Sequence, residues 1–181
     1  MNKPKLLKQT QLYQNQWCEI VQDEVQISDD FEINYTYVKR NDGAVGVVIN
    51  DSNEILLVKQ YRPPTQSFTW ELPGGGTDEG EDHKTALIRE VKEEAGVVIE
   101  IIESWGESYP MPSIASEKSF LFLAKTSASI PEKDHGEPDE LIEDVRFIPL
   151  DEALEMIESG EIIDSYTIMG LLRFAYNNFQ I

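Results

Sequence analysis

The sequence predicts a mixed α/β (α+β) protein with an antiparallel β extension at its N terminus. Apolar and polar residues alternate within 17–25 and 31–38, the period of half-buried strands. Short, continuously apolar runs follow at 44–49 (AVGVVI) and 55–60 (ILLVKQ), each bounded by turn residues. Leu87, Ile88, Val91 and Ala95 then recur at the spacing of one helix face. The chain has 181 residues, 40% of them apolar, enough to bury a substantial core. We read residues 1–40 as a β extension, a candidate dimerisation element, and 41–181 as the main domain.

Taken in order, Ser28-Asp29-Asp30 turns the chain between the first two alternating segments. Asn41-Asp42-Gly43 is a further turn signal. Asp51-Ser52-Asn53 joins 44–49 to 55–60 as a hairpin, and Pro63-Pro64 ends the second strand. Residues 97–103 and 120–124 read as strands, separated by a loop set by Pro110 and Pro112. Residues 126–144 are polar and rich in loop formers, a length often associated with function. A last strand spans 145–149. Asp151 reads as the N-cap of a helix that stops at Gly160, with Ala153, Leu154 and Ile157 inward. Ser165 reads as the cap of a final helix to about residue 177, with Ile168, Leu171, Leu172 and Ala175 on its apolar face.

Composition narrows the function. A formal net charge of −19 opposes binding to a nucleic-acid polymer, which requires Lys and Arg against phosphates, and opposes anionic membranes. A small anionic nucleotide remains compatible if a cation and a few local basic groups reverse the field. Cys18 is the sole cysteine, so no internal disulfide forms. With no signal-type apolar segment in residues 1–10, a reducing cytoplasm is expected. No apolar run reaches membrane-spanning length.

The stretch around which the chain is organised is 75–97, GGTDEGEDHKTALIREVKEEAGV. Glu90, Glu93 and Glu94 fall off the apolar stripe, and the spacing gathers the three carboxylates on one face of the helix. Like charges at such spacing destabilise a helix by about 0.2–0.5 kcal/mol per pair, a cost that a divalent cation offsets. Carboxylates without Cys or His select Mg²⁺ or Mn²⁺ over Zn²⁺, and Mg²⁺ commonly shares such groups with substrate phosphates. Arg89 is spaced to pair with Glu93 or to turn back to Glu81. Gly74, Gly75 and Gly76 allow tight turns near a ligand, and Gly96 is placed to end the helix. Glu93-Glu94 alone reads as a solvated face. The specific feature is the gapless set of Gly75, Glu81, Arg89, Glu90, Glu93, Glu94 and Gly96.

These residues resemble a complete Nudix box. The resemblance implies an α/β/α sandwich of mixed β-sheets, with the box as loop–helix–loop, and cation-dependent cleavage of a phosphoanhydride. By position, Glu90, Glu93 and Glu94 resemble the catalytic metal ligands, and Gly74 the residue whose carbonyl completes the metal site. Glu81, Arg89, Gly75 and Gly96 take structural roles. The run Gln60-Tyr61-Arg62-Pro63 followed by Trp70-Glu71-Leu72-Pro73-Gly74-Gly75 resembles the approach to the box in ADP-ribose pyrophosphatases. There an arginine, here Arg62, contacts the diphosphate, and Glu71 is expected to hold the site or the substrate. Pro112, fifteen residues beyond Val97, matches the downstream proline of that branch, and Glu117 an acidic residue after it. The branch reads Ser-Pro-Gly where this chain has Met111-Pro112-Ser113, which leaves the sugar open.

Trp17 reads from composition as a core filler, with nucleobase stacking as the alternative that the resemblance supports. The resemblance also implies a loop glutamate as base. Glu140 is the first candidate, then Glu137 and Asp139, with a solvated acidic loop as the alternative. His135 reads as a loop residue and His83 as an exposed helix-start residue, neither suggesting zinc. The implied protein is a homodimeric hydrolase, with Mg²⁺ or Mn²⁺, of ADP-ribose or a related nucleoside diphosphate sugar. Other nucleotides (GDP-mannose, a dinucleoside polyphosphate, coenzyme A) and a non-catalytic ADP-ribose sensor are the alternatives.

Overall fold

The computed structural model describes residues 3–131 and 141–179. The chain divides into two compact units, Met1–Asp42 with Tyr109–Lys118, and Gly43–Ser108 with Ser119–Ile181.

The first unit contains β1 (Lys5–Gln14), β2 (Glu19–Ser28) and β3 (Phe31–Lys39), an antiparallel sheet in that order. The turn at Asp29-Asp30 brings Ser28 opposite Phe31. β1 lacks clean alternation because it is exposed along nearly all its length, with no buried face to select a two-residue period, and its register with β2 shifts between Leu6 and Lys8 and again between Gln11 and Tyr13. Each shift moves the following side chains relative to the pleat, so a two-residue period cannot persist. The 109–118 segment is tied to β3: the Ser116 N–H donates to the Val38 carbonyl at 3.0 Å, and the Val38 N–H to that of Ile114 at 2.9 Å.

The second unit holds β4 (Gly43–Ile49), β5 (Ile55–Arg62), β6 (Ser67–Glu71), β7 (Gly74–Gly76), β8 (Glu100–Ser108), β9 (Ser119–Lys125) and β10 (Ile142–Ile148). They form a seven-stranded sheet in the order β10-β5-β4-β9-β8, with β6 on β5 and β7 on β4. β4 runs parallel to β9 and the other described pairings are antiparallel, so the sheet is mixed. The helices are α1 (His83–Ala95), α2 (Leu150–Ser159) and α3 (Ser165–Phe179).

β4 and β5 read as unbroken apolar runs because both faces of the sheet are covered. Ala44, Val48, Leu56 and Val58 pack with Leu87, Val91 and Ala95 of α1. Val45, Val47, Ile55 and Leu57 pack with Ala153 and Met156 of α2 and with Leu171 and Phe174 of α3. Neighbouring residues of one strand thus feed opposite layers, which is the α/β/α sandwich expected.

The details differ from the sequence expectation at several ends. The β4–β5 hairpin pairs only at Ile49 and Ile55, since β5 is claimed by β6 and β10. The strand expected at 97–103 begins at Glu100 and extends to Ser108 through two register shifts. Pro149, not Asp151, is the N-cap of α2, and Asp151 lies within its first turn. At α3 the cap is one residue earlier than expected: the Asp164 carboxylate accepts the Thr167 N–H at 2.8 Å.

Leu87 is fully buried between α1 and the sheet, whereas Leu172 on α3 is 53% exposed. Leu87→Ala is expected to cost about 2–5 kcal/mol in urea denaturation. Leu172→Ala is expected to stay within about 0.5 kcal/mol of the parent. Equal effects would contradict the layer assignment.

Candidate active site

The site begins with how α1 is held at its ends. The Asp82 carboxylate accepts the N–H groups of Lys84 at 3.0 Å and Thr85 at 3.2 Å. These are donors that the first turn of a helix leaves unpaired. Gly96 ends the helix in the left-handed region, φ 69°, with its N–H on the Lys92 carbonyl. Burial of Ala86, Leu87, Val91 and Ala95 fixes the rotation of the helix. Ile88, counted on the apolar stripe by spacing, lies off it at 38% exposure.

That rotation turns Glu90 and Glu94 inward, to 9% and 4% exposure. A buried carboxylate must be paired or hydrogen-bonded. Glu94 accepts the Gly74 N–H at 2.9 Å, and Glu90 accepts Arg89 Nη1 at 2.9 Å. The glycines make this approach possible. A Cβ at Gly75 would sit 2.5 Å from the Glu90 carboxyl group. Gly74 has φ 154°, and a Cβ there would lie 2.2 Å from the Ala44 carbonyl oxygen.

Arg89 gathers the remaining charges. Its Nε and Nη2 take both Glu81 oxygens at 3.1 and 3.0 Å, Nη2 also donates to the Gly76 carbonyl, and Nη1 reaches Glu93 at 2.9 Å. Bonding to Glu81 holds the Arg89 guanidinium well above its ordinary pKa, and the same bond holds the Glu81 carboxyl below its own. Glu93 is the outward member, with a 38% exposed side chain.

β5 delivers the second half of the site. Arg62 takes Glu71 as a fork, Nε to Oε1 at 2.9 Å and Nη2 to Oε2 at 2.5 Å, while Gln60 Nε2 approaches Oε2 at 3.4 Å. Glu71 is 5% exposed. Burial pushes its carboxyl pKa up against the opposing pull of Arg62. The bond to Glu71 in turn raises Arg62, and the charges of Glu94 and Asp164 reach the same guanidinium.

Among the described residues, no group of three or more His, Cys, Asp or Glu is arranged to hold a metal ion. Glu93 is drawn towards Arg89 rather than towards Glu94. The donor set nonetheless suits a hard cation: Glu90, Glu94 and the peptide of Gly74 offer oxygen, with no thiolate or imidazole among them. Mg²⁺ needs only one or two carboxylates when water and substrate phosphates complete its shell.

The other sequence candidates lie elsewhere. Trp17 is 68% exposed and fills no core. Pro112 is exposed, and Glu117, 8% exposed, pairs with Arg40 at 3.1 Å; all of these belong to the first unit. His83 is half-buried and stacks on Phe120 with ring centroids 3.5 Å apart. His135, Glu137, Asp139 and Glu140 lie outside the described residues. The sequence assigns no role to Gln60, although it opens the Gln60–Pro63 run, nor to Asp164, whose offset from Thr167 is legible only as a helix start.

Residues 39–168 match the NUDIX domain family model. The chain belongs to this family. It is a Nudix hydrolase of the ADP-ribose pyrophosphatase-like branch. It is 29% identical over 168 residues to the ADP-ribose pyrophosphatase of Bacillus subtilis, covering 92% of this chain and 90% of the relative. It is 31% identical to the methanol dehydrogenase activator of Bacillus methanolicus, over the same shares of the two chains. It is 32% identical to the GDP-mannose pyrophosphatase of Yersinia enterocolitica, over 75% and 74% of the chains. No described helix of the Nudix chain is long and apolar enough to cross a membrane.

The Glu81–Arg89 fork sets a pH dependence. Because the folded pKa of Glu81 is depressed below its ordinary 4.5, its stabilisation is present above that value. It is lost as pH falls through the folded pKa. Glu81→Gln is thus expected to melt about 2–4 °C below the parent at pH 7, the scale of roughly 1 kcal/mol for a chain of this size. The two melting curves should converge as pH falls below the ordinary 4.5 and through the depressed folded pKa. A gap that widens in acid would contradict the assignment.

Proposed function

We propose that this protein hydrolyses the diphosphate of ADP-ribose or a related nucleoside diphosphate sugar, with Mg²⁺ or Mn²⁺ as cofactor. The observation that carries the reading is the placement of Glu90 and Glu94, buried against Gly74 and Gly75, with the Arg62 guanidinium of β5 held in a fork by buried Glu71. The ADP-ribose pyrophosphatase named among its relatives supports the substrate class. The net charge of −19 favours a small nucleotide over a nucleic-acid polymer.

Glu90, Glu94 and the Gly74 carbonyl hold the cation in this reading, and Glu93 joins them on leaving Arg89. The bound cation supplies charge neutralisation of the diphosphate and a more acidic water. Arg62, preset by Glu71, offers its guanidinium edge to the phosphate oxygens and fixes the substrate's orientation. A carboxylate, proposed as Glu140 with Glu137 next, takes a proton from water as its oxygen bonds to one phosphorus. The bond from that phosphorus to the bridging oxygen breaks, and the oxygen leaves on the other phosphate. From ADP-ribose the products are AMP and ribose 5-phosphate.

We also propose a homodimer formed through the N-terminal sheet. Leu6, Leu12, Tyr13, Trp17 and Phe31 are each more than half exposed in this first unit. Apolar surface of this kind marks association.

A panel of ADP-ribose, GDP-mannose, UDP-glucose, NADH and diadenosine polyphosphates, with Mg²⁺ and with chelator, tests the reading. Chelator-sensitive AMP release, fastest from ADP-ribose, is expected. Glu94→Gln should lose at least about a hundredfold in rate, as removal of a transition-state group does. Full activity in that variant would overturn the cation assignment. Faster turnover of GDP-mannose would keep the chemistry and move the substrate. ADP-ribose binding without turnover of any substrate would favour the sensor.

A further inference from the structure

The backbone between β6 and the glycine turn is held from three separate elements. The Leu72 N–H donates to Thr167 Oγ1 of α3 at 2.8 Å, across 95 residues of sequence. Pro73 has no N–H, and its carbonyl accepts the Gly46 N–H of β4 at 3.0 Å. The Gly74 N–H donates to Glu94 of α1 at 2.9 Å. The position of Gly74 relative to Glu94 is thus set by how Leu72-Pro73 is anchored.

Thr167 is fully buried. Its hydroxyl donates to Asp164 Oδ2 at 2.7 Å, and the same oxygen accepts the Thr167 backbone N–H at 2.8 Å. The hydroxyl proton is committed to the carboxylate, so Oγ1 faces Leu72 as an acceptor, and a charged partner strengthens the chain of bonds. The Leu72 side chain is gripped by the same helix: a Cβ at Gly170 would meet Leu72 Cδ1 at 2.5 Å. Core packing alone needs no hydroxyl at residue 167. Packing would be served as well by valine, which has the same shape but no acceptor.

We infer that Thr167, oriented by Asp164, is a positioning residue for cation binding: through the Leu72 N–H it holds the Leu72–Gly74 backbone in register with Glu94. This rests on the cation reading of Glu90, Glu94 and Gly74 given above. Thr167 touches neither substrate nor cation. Its effect is to preset the peptide that meets the Glu94 carboxylate, so its loss loosens the geometry of the oxygen donors. Groups bonded directly to a metal ligand typically alter metal affinity by about 10–100-fold, and Thr167, one step further out through Leu72, is expected at the lower end of that range.

Direct Mn²⁺ binding, followed by the loss of the free-ion electron paramagnetic resonance signal, tests this without recourse to activity. Thr167→Val should weaken Mn²⁺ at least about tenfold. At saturating Mg²⁺ its KM for ADP-ribose should stay within about twofold, the loss appearing in the Mg²⁺ dependence of kcat. Thr167→Ser, which keeps the acceptor, should restore binding to within about threefold. If the valine variant does not fold, Thr167→Cys takes its place, since a thiol is a much weaker acceptor. Unchanged Mn²⁺ affinity in these variants, with the parent binding normally, overturns the role of Thr167 alone. A parent that binds no Mn²⁺ overturns both this inference and the cation reading beneath it.

Discussion

The hydrogen bond from the Gly74 N–H to the buried Glu94 carboxylate is the contact on which the larger unit turns. Burying a carboxylate costs several kcal/mol unless its lone pairs are met. The fold meets that cost by bringing a glycine strand edge against a helix face. The closeness explains the composition of the turn, because side chains at Gly74 or Gly75 would overlap the Ala44 carbonyl or the Glu90 carboxyl group. It also explains the fixed helix rotation: the stripe that packs on Ala44, Val48 and Val58 leaves Glu90 and Glu94 facing the turn.

Arg89 balances the charge that this arrangement concentrates. It is bonded at once to Glu81, Glu90 and Glu93, so like charges that would repel along one helix share a guanidinium. Glu93, the most exposed of those partners, is the cheapest to release, since an exposed pair contributes about 0–1 kcal/mol. On the proposed reading, a cation beside Glu90 and Glu94 would compete with Arg89 for carboxylates rather than enter an unbalanced acidic cavity. The Arg62–Glu71 fork has the same character on the β5–β6 side, a guanidinium fixed in orientation by a buried carboxylate.

The sequence made the box legible because it is local. Fixed offsets on one helix translate directly into one face, so Arg89, Glu90 and Glu94 are related without tertiary information, and Glu81 lies one residue before the N-cap, within reach of Arg89 from the adjoining loop. The apolar runs of β4 and β5 were legible for the same reason, while their partners were not. β5 was read as half of a hairpin, yet it pairs mainly with β6 and β10. β1 was hidden by its exposure and its register shifts, and β6 by its shortness before Pro73. The Leu72–Thr167 bond spans most of the second unit's sequence and has no periodic trace. Trp17 shows the limit of composition: tryptophan is usually core, and this one is exposed. The stops at Gly96 and Gly160 stand where the sequence puts them, whereas the starts of α2 and α3 fall one or two residues earlier, since Asp151 and Ser165 are good capping residues that lie just inside their helices.

The most direct test of the central claim is a crystal structure with Mn²⁺ and a non-hydrolysable ADP-ribose analogue, reading the anomalous signal of the metal. The account predicts a peak within coordination distance of Glu90 and Glu94, beside Gly74, with the analogue's diphosphate on Arg62. A peak on other carboxylates, or a diphosphate bound away from Arg62, would contradict it.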